Sequence, residues 1–268
     1  MFDRKSTVSC MIHVADPVPL FNEKFPIIFL WSPKSGCTSL IKWFYFQTGV
    51  LEQALNYKKY IDSTGKHYPW VHGYRMEIHQ QQKRYKEDLL AYLLNGGKDV
   101  YKLVRNPYTR AVSSFFIFLA IPALHETVFP EEVQEGVSFK QYLYRIKTIG
   151  LDRKLINYHI AKQYTEHEEY IVRQFIRLEN FETEIRAIEK NHQLIHSPIS
   201  TLVQSFHHKA PNMKLNSKLN YSEVNMPLKK LNGHLPHYQS LYDAECKDLV
   251  WELFNDDFVK YGYHKHSI

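Results

Sequence analysis

Cysteine is scarce in this chain of 268 residues, which has three: Cys10, Cys37 and Cys246. They lie far apart and form no pair with the spacing of a metal site. An odd number of cysteines without a disulfide framework is typical of a protein from a reducing compartment. The sequence therefore argues against a disulfide-stabilised fold and against a cysteine-based metal centre.

Long apolar runs are also lacking. No stretch approaches the roughly 18–20 consecutive apolar residues that span a membrane. The first 18 residues carry charged side chains and contain no apolar core of the kind found in signal peptides. We therefore expect no membrane span and a cytoplasmic location.

Charge is unevenly divided, with 34 Lys and Arg against 28 Asp and Glu and a net charge of +6. A basic surface favours anionic partners such as nucleotides, acidic glycans or nucleic acid. The length and the 44% of hydrophobic residues fit one large α/β domain. Within residues 1–268 we expect an N-terminal extension at 1–22 and an irregular, lid-like surface segment at 197–236.

A short polar loop follows an apolar, strand-like stretch that ends at Trp31, and an amphipathic helical pattern begins at Leu40. We call residues 33–39 the lysine loop; their sequence is Pro33-Lys34-Ser35-Gly36-Cys37-Thr38-Ser39. Backbone N–H groups, the positive end of a helix dipole and the Lys34 charge make such a loop suitable for phosphate. It is not a Walker A loop, because Lys34 precedes the only glycine.

A second strand-to-helix junction follows residues 99–104. Asn106 is a good N-cap and Pro107 a good first helical residue, so a helix is predicted from Pro107 onward. Arg105 and Ser113 are separated by the turn and two helical turns, which lets both side chains reach one phosphate. A guanidinium group suits phosphate because it can bind in a bidentate manner.

The lysine loop resembles the 5′-phosphosulfate-binding loop of sulfotransferases that use 3′-phosphoadenosine 5′-phosphosulfate (PAPS). Arg105, followed eight residues later by Ser113, resembles their 3′-phosphate motif. Residues 170–181 and 242–263 resemble further blocks of the carbohydrate-type and bacterial family 2 group. The resemblance implies an α/β fold in which a P-loop-like parallel sheet has helices on both faces, in a single domain. It also implies sulfuryl transfer from PAPS to an acceptor, with no metal.

The resemblance also implies roles for individual residues. Lys34 would neutralise the leaving 5′-phosphate, and Arg105 and Ser113 would hold the 3′-phosphate. Apart from the resemblance, Arg177 is a further candidate for the nucleotide site. The 5′-phosphate would be held by the remaining loop residues, Ser35, Gly36, Cys37, Thr38 and Ser39.

The resemblance implies a general base, a His or Glu after the first helix, and the candidates are His67, His72 and Glu77. We favour His72, because imidazole titrates near neutral pH and Gly73 permits a close approach. The alternative is a structural or surface role for His72. Cys37 is interpreted as a small loop residue and not a nucleophile, although a helix start is expected to lower its thiol pKa.

The acceptor is the least constrained partner. The Arg-Lys-Gly phrase that cytosolic small-molecule sulfotransferases carry near the C-terminus is absent. Its absence favours a carbohydrate or another hydroxylated acceptor. Many animal carbohydrate sulfotransferases are Golgi proteins with an N-terminal anchor, so a Golgi-lumenal location is the alternative if an anchor is missing here.

Two other functions remain open. A P-loop kinase-like phosphotransferase would share the architecture and use ATP with Mg²⁺, but the lysine is displaced and no convincing Walker B strand is present. A noncatalytic polyanion-binding protein would explain the charge but not the paired phosphate motifs. For the same reason we do not expect nucleic acid as the partner.

Three helices are predicted from apolar periodicity or from a capping residue. The first covers residues 80–94, the second begins at an N-cap on Ser138 and runs through Tyr144, and the third covers residues 153–164.

Overall fold

A computed structural model of the chain describes residues 6, 8–9, 17–61, 67–130, 135–204, 220–229 and 235–267, without the side chains of residues 60, 61, 67 and 68. The chain forms two compact units. We call the first the sheet unit (Met1–Val104 and Glu166–His207) and the second the helical unit (Arg105–Thr165 and His208–Ile268). Each is described by itself.

The described residues form five strands and eleven α-helices. The strands are β1 (Ile27–Trp31), β2 (Lys59–Ile61), β3 (His67–Pro69), β4 (Asp99–Val104) and β5 (Gln174–Arg177). The helices are α1 (Cys37–Gln47), α2 (Leu51–Tyr57), α3 (Val71–Glu77), α4 (Tyr85–Asn95), α5 (Pro107–Ala120), α6 (Pro122–Val128), α7 (Phe139–Ile149), α8 (Phe181–Asn191), α9 (Ile199–Leu202), α10 (Ala244–Leu253) and α11 (Asn255–Tyr261).

The centre of the sheet unit is a parallel sheet of three strands in the order β1-β4-β5. The register pairs Trp31 with Leu103 and Val104 with Arg177, so the three strands end at one edge. Strands β2 and β3 form a separate antiparallel pair. The predicted α/β class with a parallel sheet is confirmed.

Side chains on β1 alternate between two apolar clusters. Ile27, Phe29 and Trp31 pack in one cluster with residues of α1 and α8. Ile28 packs in the other cluster with residues of α4. Because successive strand residues point to opposite faces, the sheet of this unit has helices on both faces, as predicted.

A buried ion pair connects β4 to the point where the chain returns to the sheet unit. The Lys102 ammonium group contacts the Glu168 carboxylate, and both residues are almost completely buried. Burying two charges is costly unless they neutralise each other. The pair therefore fixes residues that are 66 positions apart in the sequence.

The core of the helical unit is built largely from aromatic side chains of α5 and α7. The Phe115 and Phe118 rings of α5 lie 5.2 and 5.1 Å from the ring of Tyr142 on α7. At the start of α5, the Asn106 side chain accepts a hydrogen bond from the Tyr108 N–H at 2.9 Å. The predicted N-cap at Asn106 and the helix start at Pro107 are confirmed.

Two of the three predicted helices are present in the structure but have different limits. Ser138 caps α7 as predicted, and the helix continues to Ile149. The helix expected from residue 80 begins at Tyr85, because Arg84 adopts a left-handed backbone conformation with φ of 64°. A 3₁₀ turn over His79–Gln81 takes its place at the start.

The helix predicted over residues 153–164 is wrong. The structure has turns there, and nearby side chains compete with a helix for backbone groups. The Asp152 side chain accepts from the Lys154 N–H, and the Asn157 side chain accepts from the His159 N–H. The Asp257 carboxylate accepts from the backbone N–H groups of residues 163 and 164.

Parts of the two predicted peripheral segments lie outside the described residues. Within 1–22, these are residues 1–5, 7 and 10–16, whereas Leu20 pairs with Phe29 of β1 in an isolated bridge. Within 197–236, these are residues 205–219 and 230–234, whereas α9 and a bridge between Val137 and Met226 are described.

No single helix in the described ranges has both the length and the apolar composition of a membrane span. Helices α5 and α6 meet those two criteria only when taken together, as a pair bent by 108°.

Candidate active site

The lysine loop connects β1 to α1 in the sheet unit, as the sequence predicts. Two of its residues have positive φ angles, Lys34 at 70° and Gly36 at 91°. The Ser35 side chain is buried and donates a hydrogen bond back to the carbonyl oxygen of Ser32. These features form a tight turn directly before the first turn of α1, where backbone N–H groups lack intrahelical acceptors.

Gly36 is the N-cap residue of α1, so no side chain caps this helix end. Its left-handed conformation favours glycine. A Cβ atom added at this position would also overlap the Cδ1 atom of Leu178. Leu178 begins the 3₁₀ turn that follows β5, so the block at residues 170–181 packs directly against the loop.

His72 lies beside the first turn of α1. It is half-buried on α3, and its Nε2 atom lies 3.1 Å from the Thr38 Oγ1 atom and 4.0 Å from the Cys37 Sγ atom. The structure thus brings together three residues selected from the sequence. An imidazole nitrogen at this position could exchange a proton with a molecule bound at the loop.

Arg75 places a buried positive charge behind the same loop. It lies one helical turn after His72 on α3, its guanidinium carbon is 5.4 Å from the centre of the Trp31 ring, and its Nη1 donates to Gln80. Only 6% of the residue is exposed. Sequence analysis missed Arg75, although its three-residue spacing from His72 places both on one helical face.

Burial and nearby charges shift the pKa of the Cys37 thiol in opposite directions. Burial raises the pKa above its ordinary value, whereas the charges of Lys34 and Arg75 and two nearby backbone N–H groups lower it. Burial dominates. The backbone N–H groups at the helix start do lower this pKa, as expected, but the net shift is upward because burial outweighs them.

The other two candidates for the general base differ from His72. His67 begins β3, and its side chain lies outside the described residues. Glu77 is exposed at the end of α3 and is bound by Lys58 and Tyr57. Hydrogen bonds from these two groups lower the pKa of its carboxyl group, which makes Glu77 a weaker base.

Arg105 is the first residue of the helical unit, and Ser113 lies on α5, the first helix of that unit. Both residues are half-buried. The Arg105 Nε donates to the Thr109 Oγ1 at 2.9 Å. Thr109 and Ser113 are four residues apart on α5, and both are half-buried. Residues at this spacing share a helical face. Thr109, which sequence analysis missed, therefore connects Arg105 to the face that carries Ser113.

Arg177 ends β5 at the edge of the sheet where β4 also ends. Its backbone N–H donates to the Glu184 side chain at 2.9 Å. Burial raises the pKa of Glu184, and the Arg177 charge opposes that shift. Ser39 is half-buried on α1, and its N–H donates to the carbonyl oxygen of Gly36.

No group of three or more His, Cys, Asp or Glu side chains suited to a metal ion occurs among the residues that the structure describes.

A model of the sulfotransferase family, family 2, matches residues 20–264. The match covers most of the chain and includes residues of both units, so this protein belongs to the sulfotransferase family. Membership places it among the enzymes that transfer sulfuryl groups. Neither a curated protein nor a solved structure matches the chain.

Proposed function

We propose that this sulfotransferase takes its sulfuryl group from PAPS and transfers it to a hydroxyl or amine of a carbohydrate acceptor. The observation that supports this most strongly is the 3.1 Å contact between His72 and Thr38 at the start of α1. It combines a proton acceptor with a loop whose lysine, glycine and helix start suit a phosphate group.

In this proposal the loop residues bind the donor through its 5′-phosphate. Lys34 neutralises negative charge that grows on the leaving phosphate oxygen. The Thr38 and Ser39 hydroxyl groups hold the phosphate together with N–H groups of the loop; the Ser35 N–H is not one of them, because it donates to the Ser32 carbonyl oxygen. Arg105 and Ser113 hold the 3′-phosphate, and Arg177 supplements the nucleotide site.

The reaction is an in-line displacement at sulfur. The acceptor oxygen or nitrogen forms a bond to the sulfur while the bond from sulfur to the 5′-phosphate oxygen breaks, and 3′-phosphoadenosine 5′-phosphate (PAP) leaves. His72 takes the acceptor proton. As in phosphoryl transfer, most catalysis then comes from positioning and charge stabilisation.

A carbohydrate acceptor is proposed on two grounds. The net charge of +6 favours an anionic acceptor such as an acidic glycan. The chain also lacks the C-terminal Arg-Lys-Gly phrase of the phenol and steroid class. A screen of glycan acceptors with labelled PAPS, with phenol and steroid acceptors alongside, tests this choice.

Thermal unfolding with PAP tests the donor first, with ADP and with ATP plus Mg²⁺ as comparisons. A ligand at a hundredfold excess over its Kd adds about 2.7 kcal/mol of stability. For a chain of this size that raises Tm by about 5–10 °C. We expect this rise with PAP and its loss in Lys34→Ala and Arg105→Ala, whereas Lys83→Ala, which changes an exposed lysine, keeps it.

Other results would favour the alternative functions. A rise with ATP and Mg²⁺ alone would indicate a phosphotransferase. No rise in Tm with any nucleotide would favour the noncatalytic alternative, a polyanion-binding protein. The affinity of such a protein for its ligand falls steeply with salt concentration.

A further inference from the structure

The Gln163 side chain holds the backbone of Arg105 from both sides. Its Oε1 accepts from the Arg105 N–H at 2.9 Å, and its Nε2 donates to the Arg105 carbonyl oxygen at 2.8 Å. The carboxamide thus supplies the donor and acceptor that a neighbouring strand would supply. The position of Arg105 immediately after β4 is fixed by this pair of hydrogen bonds.

Gln163 is itself fixed by Asp257 on α11. The Asp257 carboxylate accepts from the Gln163 N–H at 2.9 Å and from the Tyr164 N–H at 2.7 Å. Gln163 and Asp257 are both completely buried. The carboxylate also lies near the buried Arg110 guanidinium, whose pKa it raises against the effect of burial. The two hydrogen bonds to Asp257 fix the backbone of Gln163, and with it the base of the side chain that holds Arg105.

Rigidity at Arg105 bears directly on its guanidinium group. The Arg105 Nε donates to Thr109, which keeps the side chain along the face of α5 that carries Ser113. A change in the backbone at Arg105 would move the guanidinium relative to Ser113. Two groups that share one phosphate tolerate little displacement.

We propose that Gln163 is a positioning residue that sets the selectivity of the enzyme for a 3′-phosphorylated nucleotide. Being completely buried, it acts through the backbone of Arg105 and not by touching the ligand. This inference rests on the proposed function, in which Arg105 and Ser113 bind the 3′-phosphate. It deepens that proposal by naming what holds the arginine in place.

The test compares PAP with adenosine 5′-phosphate, which lacks only the 3′-phosphate. The ratio of the two Kd values measures how much the 3′-phosphate contributes to affinity. Any unfolded fraction of the sample affects both Kd values equally and therefore cancels from the ratio. Gln163→Met removes both hydrogen bonds with little change in size. We expect PAP to bind about tenfold more weakly and adenosine 5′-phosphate to bind as before.

Kinetics provide a second readout that a loss of stability would not mimic. We expect the KM for PAPS to rise about tenfold in Gln163→Met while kcat stays within about threefold. The matched control is Gln82→Met, since Gln82 is exposed in the sheet unit. If Gln163→Met does not fold, Gln163→Asn keeps the carboxamide but shortens the side chain by one methylene group, which withdraws both hydrogen-bonding groups from the Arg105 backbone.

The outcomes separate this inference from the proposed function. A wild-type preference for PAP that persists unchanged in the folded Gln163 variants overturns the positioning role alone. Equal affinity of the wild-type protein for the two nucleotides overturns the 3′-phosphate assignment and the inference with it. A reduced ratio in the variants, with Gln82→Met unchanged, supports both.

Discussion

The His72 Nε2 atom and the Thr38 hydroxyl oxygen lie 3.1 Å apart, although the two residues are 34 positions apart in the sequence. This contact joins α3 to the first turn of α1. A phosphate that binds the Thr38 hydroxyl therefore meets His72 as its immediate neighbour. If the loop binds phosphate as proposed, this one hydrogen bond would couple its occupation to the position of the imidazole.

Replacement of His72 by glutamine should reduce catalysis without preventing donor binding. The variant keeps a polar side chain beside Thr38 but cannot take the acceptor proton, so kcat should fall by about 10²–10⁴-fold. The Kd for PAP, measured by calorimetry, should change by less than about threefold. His266→Gln is the control because His266 is exposed. Retention of kcat in His72→Gln would show that this histidine is structural.

Replacement of Gly36 by alanine should be more costly than the same change at Gly49. Both glycines have positive φ, 91° and 73°, so both variants carry backbone strain of about 1–2 kcal/mol. Only at Gly36 would the new Cβ overlap Leu178, whereas nothing lies within 4 Å at Gly49. Denaturant unfolding should therefore show a larger loss for Gly36→Ala. Equal losses of unfolding free energy in the two variants would show that the Leu178 side chain moves away from the new Cβ atom at little cost.

The Cys37 thiol should react slowly and should become slower when Arg75 is replaced by methionine. Its pKa is raised by burial and held down in part by Lys34 and Arg75. Removing the Arg75 charge raises the pKa further, so less thiolate is present at a given pH. Alkylation with iodoacetamide, followed against pH in a Cys10→Ser, Cys246→Ser background, measures this. Faster alkylation in Arg75→Met would contradict the electrostatic argument.

Stability should depend on His79 between about pH 6.5 and pH 4. This histidine is buried among aromatic rings, and burial lowers its pKa from 6.5 to about 4. Below pH 6.5 the unfolded chain binds a proton that the folded chain does not, so stability falls as the pH falls. The loss from this group approaches about 3 kcal/mol at pH 4.

A comparison with His79→Gln isolates that contribution, because glutamine does not titrate. The difference in unfolding free energy between the wild type and His79→Gln should be smaller at pH 4 than at pH 7. The reason is that proton binding to the unfolded wild-type chain removes stability that His79→Gln cannot lose in this way. His266→Gln should follow the wild-type curve. Parallel curves for the wild type and His79→Gln would exclude His79 as the titrating group.

Local sequence patterns predicted the elements that are fixed by neighbouring residues. The strand ending at Val104, the N-cap at Asn106 and the helix start at Pro107 depend on short-range propensity, and all three agree with the structure. The lysine loop could likewise be placed between β1 and α1 from the change in periodicity at Leu40.

Long-range contacts account for what the sequence did not reveal. The turns at residues 153–164 form in part because Asp257, more than 90 positions later, binds their backbone. Gln163 acts on Arg105 across 58 positions, and Leu178 reaches Gly36 from the end of β5. No periodic pattern encodes such pairs, so only the folded chain displays them.

The buried ion pair between Lys102 and Glu168 has a consequence for how the chain folds. Strands β1 and β4 can associate once residue 104 has been synthesised, but β5 must wait for the intervening segment. Closing a loop of this length carries an entropic cost before any contact compensates for it. Long-range parallel pairing is slow for that reason. We therefore expect the third strand to be added late, with the ion pair forming as it is added.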